Sequence, residues 1–197
     1  MDSTPEESIL RTEENFLADF THGRNKLYRG QNITFRKLKV SDFDRGLYEC
    51  LSNLVKVGKV SKEDFEAQYE KIQPQTSQSH KIVVGVDEGL DKIVWWGSIL
   101  FENKFIHNFG IWGHIEDVVV HKDYIGLHLG RHLIYVLKEI SKINMWYEII
   151  LNWKEELTKF YGKNQLVNKE IQMSWFNSDV LDKKIKTYKP PKAFSKI

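Results

Sequence analysis

Apolar and polar residues alternate or cluster along this chain in runs that predict β-strands. Residues 33–38 alternate between the two classes, as expected of a strand with one buried and one solvated face. Apolar runs at 82–86 and 93–101 flank the turn-forming segment 87–91, which predicts a β-hairpin. Further strands are predicted at 114–120, 147–151 and 171–176.

Between the strands, apolar residues recur at the three- and four-residue spacing of helices. Ser41 and Ser61 are the predicted N-caps of two helices, because a serine oxygen accepts hydrogen bonds from the first backbone N–H groups. Residues 73–79 are polar and are predicted to form a loop. The predicted helices span 6–20, 41–55, 61–72, 130–143 and 157–163. The helix at 41–55 would bury one face formed by Phe43, Leu47, Leu51, Leu54 and Val55. This mixed order of strands and helices predicts an α+β fold, a sheet layered with helices.

Length and composition narrow the class of protein. With 197 residues, 41% of them hydrophobic, the chain is large enough for one globular domain with a substantial core. A net charge of +2 does not favour nucleic acid or an anionic membrane as the main partner. Cys50 is the single cysteine, which excludes an intrachain disulfide and fits a reducing compartment. No apolar run approaches the roughly 20 residues of a membrane span, and the acidic N-terminus lacks signal-peptide features, so a cytoplasmic location is expected.

The predicted strand at 114–120 contains the most informative chemistry. Its apolar residues, Ile115 and Val118 to Val120, are interrupted by Glu116 and Asp117, and a buried charge costs several kcal/mol unless it is paired or used. A loop with Gly126 and Gly130 follows and leads into an apolar helix. Free backbone N–H groups at such a helix start suit a pyrophosphate. The segment therefore predicts a transferase site with a phosphate-bearing cofactor, although an ordinary strand with solvated carboxylates at a sheet edge would give the same pattern.

Several runs also carry a family resemblance. They are 42–58, Lys104-Phe105-Ile106-His107, Gly113-His114-Ile115-Glu116-Asp117-Val118, 124–130 and Lys159-Phe160-Tyr161. Together with the element order, they resemble the GCN5-related N-acetyltransferase (GNAT) superfamily and, more narrowly, the glucosamine 6-phosphate N-acetyltransferase family. The resemblance covers roughly 33–176, and its most specific part is the Gly-His-Ile-Glu-Asp run with His107 nine residues before Glu116.

The resemblance implies an architecture. The expected fold is the GNAT acyltransferase fold, a mixed and mostly antiparallel central sheet with a splayed strand pair and helices on both faces. Residues 31–176 would form the acetyltransferase domain, after an N-terminal extension at 1–30 that contains a helix. Residues 177–197, with six lysines, would form a C-terminal tail. The resemblance also implies a homodimer with composite sites.

The activity implied by the resemblance is transfer of the acetyl group of acetyl-CoA to the amine of D-glucosamine 6-phosphate. The product would feed UDP-N-acetylglucosamine synthesis, and the transfer would be direct, within a ternary complex and without a metal. The catalytic residues would be Glu116, Asp117 and Tyr161. In these roles Glu116 receives the amine proton, a bulge at Asp117 and Val118 polarises the thioester, and Tyr161 protonates the leaving thiolate.

The same resemblance assigns a cofactor site. Its residues would be Val118, Val119, Val120, Gly126, Leu127, His128, Leu129, Gly130, Arg131 and Tyr161. The chain departs from the superfamily pattern in this loop, because Ile125 stands at the usual Gln or Arg position and His128 at the first glycine. Backbone N–H groups do the binding, so the site survives these changes if His128 adopts the required backbone conformation. His128 is otherwise a solvated loop histidine, or adds positive charge together with Arg131.

The substrate site implied by the resemblance comprises Lys104, Phe105, Ile106, His107, Glu116, Asp117, Val118, Tyr147, Glu148 and Asn152. Asn152 replaces an aspartate of the family, and an amide cannot accept the amine proton, so that role moves to Glu116. Val55 replaces a threonine and Phe176 a basic residue of the partner subunit, so Arg36 or the lysine-rich tail would have to help bind the phosphate. Leu157 and the pair Gln165-Leu166 are further departures near Tyr161.

Two other functions stay open at this point. The departures at Val55, Asn152 and Phe176 leave room for a GNAT enzyme that acetylates a different small-molecule amine. The altered loop at 125–128 leaves room for a non-catalytic acyl-CoA-binding domain. Lys104 would then be an ordinary turn lysine and Tyr161 a core aromatic residue. Cys50 lies on a predicted amphipathic helix and is expected to be a core residue, not a nucleophile.

Overall fold

The computed structural model describes residues 12–22, 28, 30–72 and 79–169. Five strands form one sheet: β1 (Ile33–Lys37), β2 (His80–Asp87), β3 (Lys92–Asn103), β4 (Ile111–Val120) and β5 (Glu148–Leu151). Five α-helices accompany it: α1 (Glu13–His22), α2 (Leu47–Leu51), α3 (Lys62–Ile72), α4 (Leu129–Ile143) and α5 (Thr158–Lys163). These elements belong to one unit that ends at Gln165. The predicted strand at 171–176, the tail, Ile9 and most of the predicted loop at 73–79 lie outside the described residues.

The strands lie in chain order, β1-β2-β3-β4-β5. The pairs β1–β2, β2–β3 and β3–β4 are antiparallel and β5 runs parallel to β4, so the mixed and mostly antiparallel sheet is confirmed. The predicted hairpin joins β2 to β3, and the Asp87 carboxylate accepts hydrogen bonds from the backbone N–H groups of Gly89 and Leu90 within its turn. The strands predicted from the hydrophobic runs thus pair with one another in a single sheet.

Helices cover both faces of this sheet, as predicted. On one face α1 and α4 pack against the strands, with Phe16 and Leu133 among the buried residues of that core around Trp95. On the other face, α2 and α3 pack through Leu47 and Phe65 onto a second core. The alternation of side chains along each strand supplies both cores from one sheet.

Helix α1 is tied to the sheet by polar contacts as well as by its apolar side chains. The Thr21 hydroxyl accepts a hydrogen bond from Phe35 N at 2.9 Å and donates one to Leu17 O. Glu13 is buried, and its carboxylate is 2.9 Å from the Lys37 ammonium and 3.3 Å from that of Lys81. The predicted helix at 6–20 is thus present from Glu13. The predicted domain boundaries, 31–176 among them, stay predictions.

The predicted continuous helix over 41–55 is wrong. Val40–Asp44 instead forms a 3-10 turn, and α2 begins only after Gly46, whose φ is 68°. The fully buried Asp42 carboxylate sets this turn, because it accepts two hydrogen bonds from Arg36, at 2.7 and 2.8 Å, and one from Lys39 N. Ser41 is therefore not the helix N-cap.

Helix α2 also ends earlier than predicted, at Leu51. The Asn53 amide donates hydrogen bonds to the carbonyls of Glu49 and Cys50, which satisfies the last turn and stops the helix. Leu54 and Val55 are exposed and do not belong to the buried face. The N-cap at Ser61 is confirmed, since its hydroxyl oxygen accepts a hydrogen bond from Asp64 N at 3.1 Å.

Candidate active site

A β-bulge interrupts β4 at Asp117 and Val118, the two positions at which the family resemblance implied one. Ser98 of β3 pairs with Glu116 and Trp96 pairs with Val119, so only Gly97 lies opposite the two residues Asp117 and Val118. Asp117 has a φ of 53°, a left-handed conformation that takes the extra residue out of the ladder. A bulge of this kind redirects backbone N–H groups away from the neighbouring strand.

Gly97, opposite the bulge, packs closely against the Leu133 side chain of α4. A Cβ placed on Gly97 would lie 2.4 Å from a methyl carbon of Leu133, which is fully buried. We expect Gly97→Ala to lower the free energy of unfolding by about 1–3 kcal/mol, because Leu133 must repack. Urea titration measures the change, and Gly58→Ala is the matched control, since an added Cβ there meets no atom within 4 Å. Equal losses in both variants would contradict the prediction.

Strands β4 and β5 separate at the level of this bulge. Their pairing runs from Trp112 with Glu148 to Ile115 with Leu151, and there β5 ends. Strand β4 continues for another five residues, through the bulge to Val120. The end of this pairing agrees with the predicted splayed pair, and the side of β4 that β5 leaves unpaired at 116–120 is called the cleft below.

The end of β4 leads directly into the predicted cofactor loop. The side chains of Leu127 and Leu129 are buried in the core below, so these two residues can contact a ligand only through the backbone. Helix geometry leaves the first N–H groups of α4, which starts at Leu129, without intrahelical acceptors. The Tyr124 hydroxyl anchors the loop from the other side by donating to the buried Asp87 carboxylate at 2.7 Å.

Two residues of this loop adopt left-handed backbone conformations. Gly126 has a φ of 89° and an open surrounding, so the backbone conformation and not space requires glycine. His128, at the superfamily's glycine position, has a φ of 60° and is the N-cap of α4. His128 thus occupies the left-handed region, which glycine adopts readily and histidine only uncommonly. The Ile125 side chain is exposed beside it.

Helix α5 packs against the start of α4 through Phe160, the neighbour of Tyr161 in the chain. A Cβ placed on Gly130 would lie 3.4 Å from the Phe160 ring and 3.8 Å from a methyl group of Val120. The Tyr161 ring packs against Phe160 with 5.0 Å between centroids. Burial raises the pKa of Tyr161, so its hydroxyl stays protonated at neutral pH. The end of β4, the start of α4 and α5 thus meet in one place.

Glu116 lies half-buried immediately before the bulge. Burial raises its pKa, the neighbouring Asp117 charge raises it further, and His114 opposes the shift. A carboxylate whose proton affinity is raised in this way is better suited to accept a proton near neutral pH. Asp117 itself is exposed at the bulge.

The predicted substrate residues of the β3–β4 loop divide into two groups. The ring of His107 packs against Tyr147 with 5.1 Å between centroids, and Trp112 donates a hydrogen bond to the Tyr147 hydroxyl. These residues, with Glu148 at the start of β5, form a continuous surface at one end of the sheet. Phe105 and Ile106 instead point outward, and 94% of the Phe105 side chain surface is exposed.

Lys104 belongs to a polar cluster that the sequence analysis missed. Its ammonium pairs with the Glu102 carboxylate and lies 4.0 Å from the centroid of the Trp112 ring. Glu102 also contacts His114 at 3.0 Å. Pairing with Lys104, and secondarily with His114, lowers the pKa of Glu102. The sequence did contain a signal for this cluster: Glu102 and Lys104 are two residues apart, as are Trp112 and His114. Residues two apart lie on the same face of an extended segment.

Comparison with known proteins assigns this arrangement to a family. The chain is 43% identical over 142 residues to glucosamine 6-phosphate N-acetyltransferase 1 of Dictyostelium discoideum, a match that spans 72% of this chain and 89% of the relative. This chain belongs to the glucosamine 6-phosphate N-acetyltransferase family. The crystal structure of the Arabidopsis thaliana family member matches with a TM-score of 0.70 and 38% identity, covering 73% of this chain and 97% of that one.

The fold of this family member is the GNAT fold, as predicted. A GNAT family acetyltransferase of Staphylococcus aureus matches with a TM-score of 0.58 over 74% of this chain and 98% of that one, at 18% identity. No family model matches the chain. Family membership therefore rests on the sequence match to the Dictyostelium discoideum relative and on the structural match to the Arabidopsis thaliana family member.

The structure locates most of the positions at which this glucosamine 6-phosphate N-acetyltransferase family member departs from the expected pattern. Asn152 directly follows β5 and is exposed where the two strands separate. Leu157 directly precedes α5 and is 40% exposed. Val55 is 57% exposed. Gln165 contacts the Lys138 ammonium. Arg36 is held by Asp42 in the fold and is not positioned as a spare phosphate ligand. Phe176 lies outside the described residues.

Cys50 is fully buried in the core between α2 and the sheet. Burial raises the pKa of its thiol to about 12, so the nucleophilic thiolate is scarce at neutral pH. We expect Cys50→Ala to keep kcat within about twofold and to lose about 1 kcal/mol of stability from the small cavity. Steady-state kinetics and thermal unfolding measure both effects. A large loss of kcat in a folded variant would instead indicate an acetyl-cysteine intermediate.

Two features are absent from the part of the chain that the structure describes. None of the helices in 12–22, 30–72 and 79–169 is long and apolar enough to cross a membrane. Within the same ranges, no group of three or more His, Cys, Asp or Glu side chains is arranged to hold a metal ion.

Proposed function

We propose that this protein transfers the acetyl group of acetyl-CoA to the amine of D-glucosamine 6-phosphate, giving N-acetyl-D-glucosamine 6-phosphate for UDP-N-acetylglucosamine synthesis. The observation that carries the proposal is the bulge at Asp117 and Val118 in the cleft between β4 and β5. Glu116 lies at one side of it, and Tyr161 belongs to the helix that packs at its far end. Family membership supports the same substrate class.

The cleft suits the arm of a thioester cofactor. Val118, Val119 and Val120 lie beyond the end of β5, so their backbone is available to pair with an extended amide-bearing arm as a further strand would. Val119 packs its side chain into the second core and would contribute only its backbone. Acetyl-CoA supplies an activated carbonyl, and the redirected N–H groups at Asp117 and Val118 would stabilise negative charge on its oxygen.

The loop that follows would hold the pyrophosphate. The N–H groups of Leu129, Gly130 and Arg131 begin α4 and have no intrahelical acceptor, and the helix dipole favours an anion there. His128 and Arg131 add side chains that can carry positive charge. The left-handed conformation of His128 supports this assignment, because it preserves the turn despite the lost glycine.

Proton transfer in this proposal uses two groups with raised pKa values. Glu116 would take the proton of the attacking amine, directly or through a water, because burial and Asp117 raise its proton affinity. Tyr161 would donate a proton to the leaving thiolate, because burial keeps its hydroxyl protonated. Asn152, exposed at the mouth of the cleft, would orient the amine without accepting its proton.

The sugar phosphate would bind at the end of the sheet that carries Lys104. Lys104 supplies a compact positive charge, while His107, Tyr147 and Glu148 offer donors and acceptors for phosphate and hydroxyl oxygens. Phe105 and Ile106 would bind the sugar phosphate through their backbone, because their side chains point outward. Phosphate binding requires Lys104 to exchange or share its Glu102 partner.

A different amine acceptor is the second candidate. It is favoured by Asn152 and Val55, which replace an acidic and a hydroxyl side chain at substrate positions and are both exposed.

A homodimer with a cytoplasmic location completes the proposal. The family resemblance supports the dimer, and light scattering that finds only monomer at micromolar concentration would reject it. The lone, buried cysteine is compatible with a reducing compartment.

Product formation by mass spectrometry tests the function. Acetyl-CoA would be offered with a panel of amines that includes glucosamine 6-phosphate and unphosphorylated glucosamine. Turnover confined to the phosphorylated sugar is the expected result. Turnover only with another amine would keep the enzyme class and replace the substrate. Absence of turnover with cofactor binding intact would support the non-catalytic alternative.

A further inference from the structure

The Glu102 carboxylate lies between two basic side chains at the end of the sheet assigned above to the sugar phosphate. One of its oxygens pairs with the Lys104 ammonium, and the other is 3.0 Å from Nε2 of His114. Pairing with Lys104, and secondarily with His114, lowers the pKa of Glu102, so the carboxylate is negatively charged at neutral pH. A negative charge of the protein itself therefore pairs with Lys104 where the proposed substrate brings its phosphate.

Strand geometry places this carboxylate close to the proposed reaction centre. Glu102 pairs with Trp112 across β3 and β4, which makes His114 its diagonal neighbour. His114 and Glu116 are two residues apart on β4, so they share one face and are separated by about 7 Å along the strand. An anion bound at Lys104 therefore lies within the reach of one small substrate from Glu116.

Lys104 has supports that do not depend on Glu102. Its ammonium lies 4.0 Å from the centroid of the Trp112 ring, a cation–π contact, and its backbone N–H donates to Gly110 O at 2.9 Å. The Lys104 side chain is 19% exposed, whereas 47% of the Glu102 side chain is exposed. The lysine is therefore the fixed member of this ion pair, and the carboxylate is the member that can turn away.

Two anions compete for the Lys104 ammonium when a phosphate arrives. A phosphate monoester carries up to two negative charges near neutral pH and accepts strong charge-assisted hydrogen bonds. A carboxylate that stays beside it repels it, and a carboxylate that leaves gives up its own ion pair. Glu102 keeps His114 as a second partner, so it can release Lys104 without losing every contact.

We propose that Glu102 is an exchangeable counter-ion of Lys104, which competes with the phosphate of the acceptor substrate and limits how tightly phosphorylated sugars bind. The inference rests on the proposed function, because it takes the phosphorylated acceptor from there. Glu102 is then a residue that sets the affinity for the phosphate. Since the acetylated product keeps its phosphate, the same competition favours product release.

Glu102→Gln tests the sign of this effect, because glutamine keeps the size of the side chain and removes its charge. Isothermal titration calorimetry is expected to show that the variant binds D-glucosamine 6-phosphate about three- to fivefold more tightly than wild type, the scale of an exposed ion pair. Unphosphorylated D-glucosamine should bind both proteins equally. Unchanged binding of the phosphorylated sugar would overturn the proposal. Weaker binding would also overturn it, because Glu102 would then position Lys104 for the phosphate.

The lysine and a distant carboxylate locate the effect. In a Lys104→Gln background, the gain from Glu102→Gln should shrink towards one, because the two anions no longer have an ammonium to compete for. Asp44→Asn removes an exposed carboxylate that pairs with Lys62, and it changes the net charge equally. This control should leave both affinities unchanged. A full gain without Lys104, or an equal gain in Asp44→Asn, would overturn the assignment.

Steady-state kinetics gives a second readout. In Glu102→Gln, the KM for D-glucosamine 6-phosphate and the inhibition constant of N-acetyl-D-glucosamine 6-phosphate should fall by similar factors, because substrate and product carry the same phosphate. Damage to the fold would instead lower kcat/KM with both phosphorylated and unphosphorylated glucosamine. A raised inhibition constant for the product would contradict the counter-ion role.

Inorganic phosphate separates this inference from the proposed function. It carries the anionic group without the sugar, and its binding needs neither acetyl-CoA nor an acceptor amine. Glu102→Gln should strengthen the binding of inorganic phosphate even if the acceptor is another amine. Acetyl transfer to D-glucosamine 6-phosphate with unchanged phosphate binding in the variant would overturn this inference alone. Failed transfer with strengthened phosphate binding would contradict only the proposed function.

Discussion

Glu116→Gln is expected to lower kcat by about 10²–10⁴-fold, the usual contribution of a general base. Glutamine keeps the size and the hydrogen-bonding capacity of the side chain but cannot accept the proton of the attacking amine. Because the role is proton transfer, the KM for acetyl-CoA should change little. Steady-state kinetics with both substrates varied measure the two parameters separately.

The pH profile makes this prediction specific. Burial and then Asp117 raise the pKa of Glu116, and the active form is the carboxylate, so wild-type kcat should fall as the pH drops through that raised pKa. The variant should lose this limb and keep the one due to the amine of the substrate. Glu63→Gln removes an exposed carboxylate on α3 and is the matched control. An unchanged acid limb in Glu116→Gln would assign the proton to another group.

The sheet was predictable from the sequence because its strands bury continuous or alternating apolar runs. Trp95 and Trp96 illustrate this, since adjacent residues of one strand supply the two opposite cores. A one-residue shift would exchange those faces, so the hydrophobic pattern fixes the register. The bulge was expected from the family resemblance at Asp117 and Val118. Opposite it on β3 lies Gly97, where an added Cβ would be 2.4 Å from a Leu133 methyl carbon of α4.

The helix over 41–55 was not predictable by the same reasoning. Leu54 and Val55 have the right spacing for a buried face, but local hydrogen bonds outweigh spacing in a segment this short. Asp42 needs several donors once it is buried, and Asn53 satisfies the last carbonyls of α2. Both effects depend on side-chain partners whose positions an apolar pattern does not contain.

The candidate site was predicted best where backbone geometry does the chemistry. His128 adopts a left-handed conformation at the position where the superfamily has glycine. The residue type alone did not decide whether it would. The surroundings of Lys104 were not predicted, because Glu102 and Trp112 reach it from paired positions on two strands. A cavity that Lys138 and Lys163 both line was missed for a similar reason, since the two residues are distant in sequence and line it together only in the folded chain.

Tyr161→Phe is the second large expected effect, a loss of kcat of about 10²-fold or more. The substitution removes only the hydroxyl, so the ring should still pack against Phe160 and thermal unfolding should be nearly unchanged. The thiolate would then leave without a proton donor, which raises the barrier of the chemical step rather than weakening cofactor binding. A large fall in kcat with an unchanged Kd for CoA is therefore the expected signature.

The leaving group provides a sharper criterion for the same variant. A thioester whose thiol is more acidic needs less help from a proton donor, so the penalty of Tyr161→Phe should shrink with such an acetyl donor. Tyr48→Phe, which removes a half-buried hydroxyl on α2, serves as the control and should leave both donors unaffected. Since burial raises the pKa of Tyr161, the wild-type enzyme should keep its donor protonated throughout the neutral range. A penalty of equal size for both thioesters would mean that Tyr161 positions the substrate and does not transfer the proton.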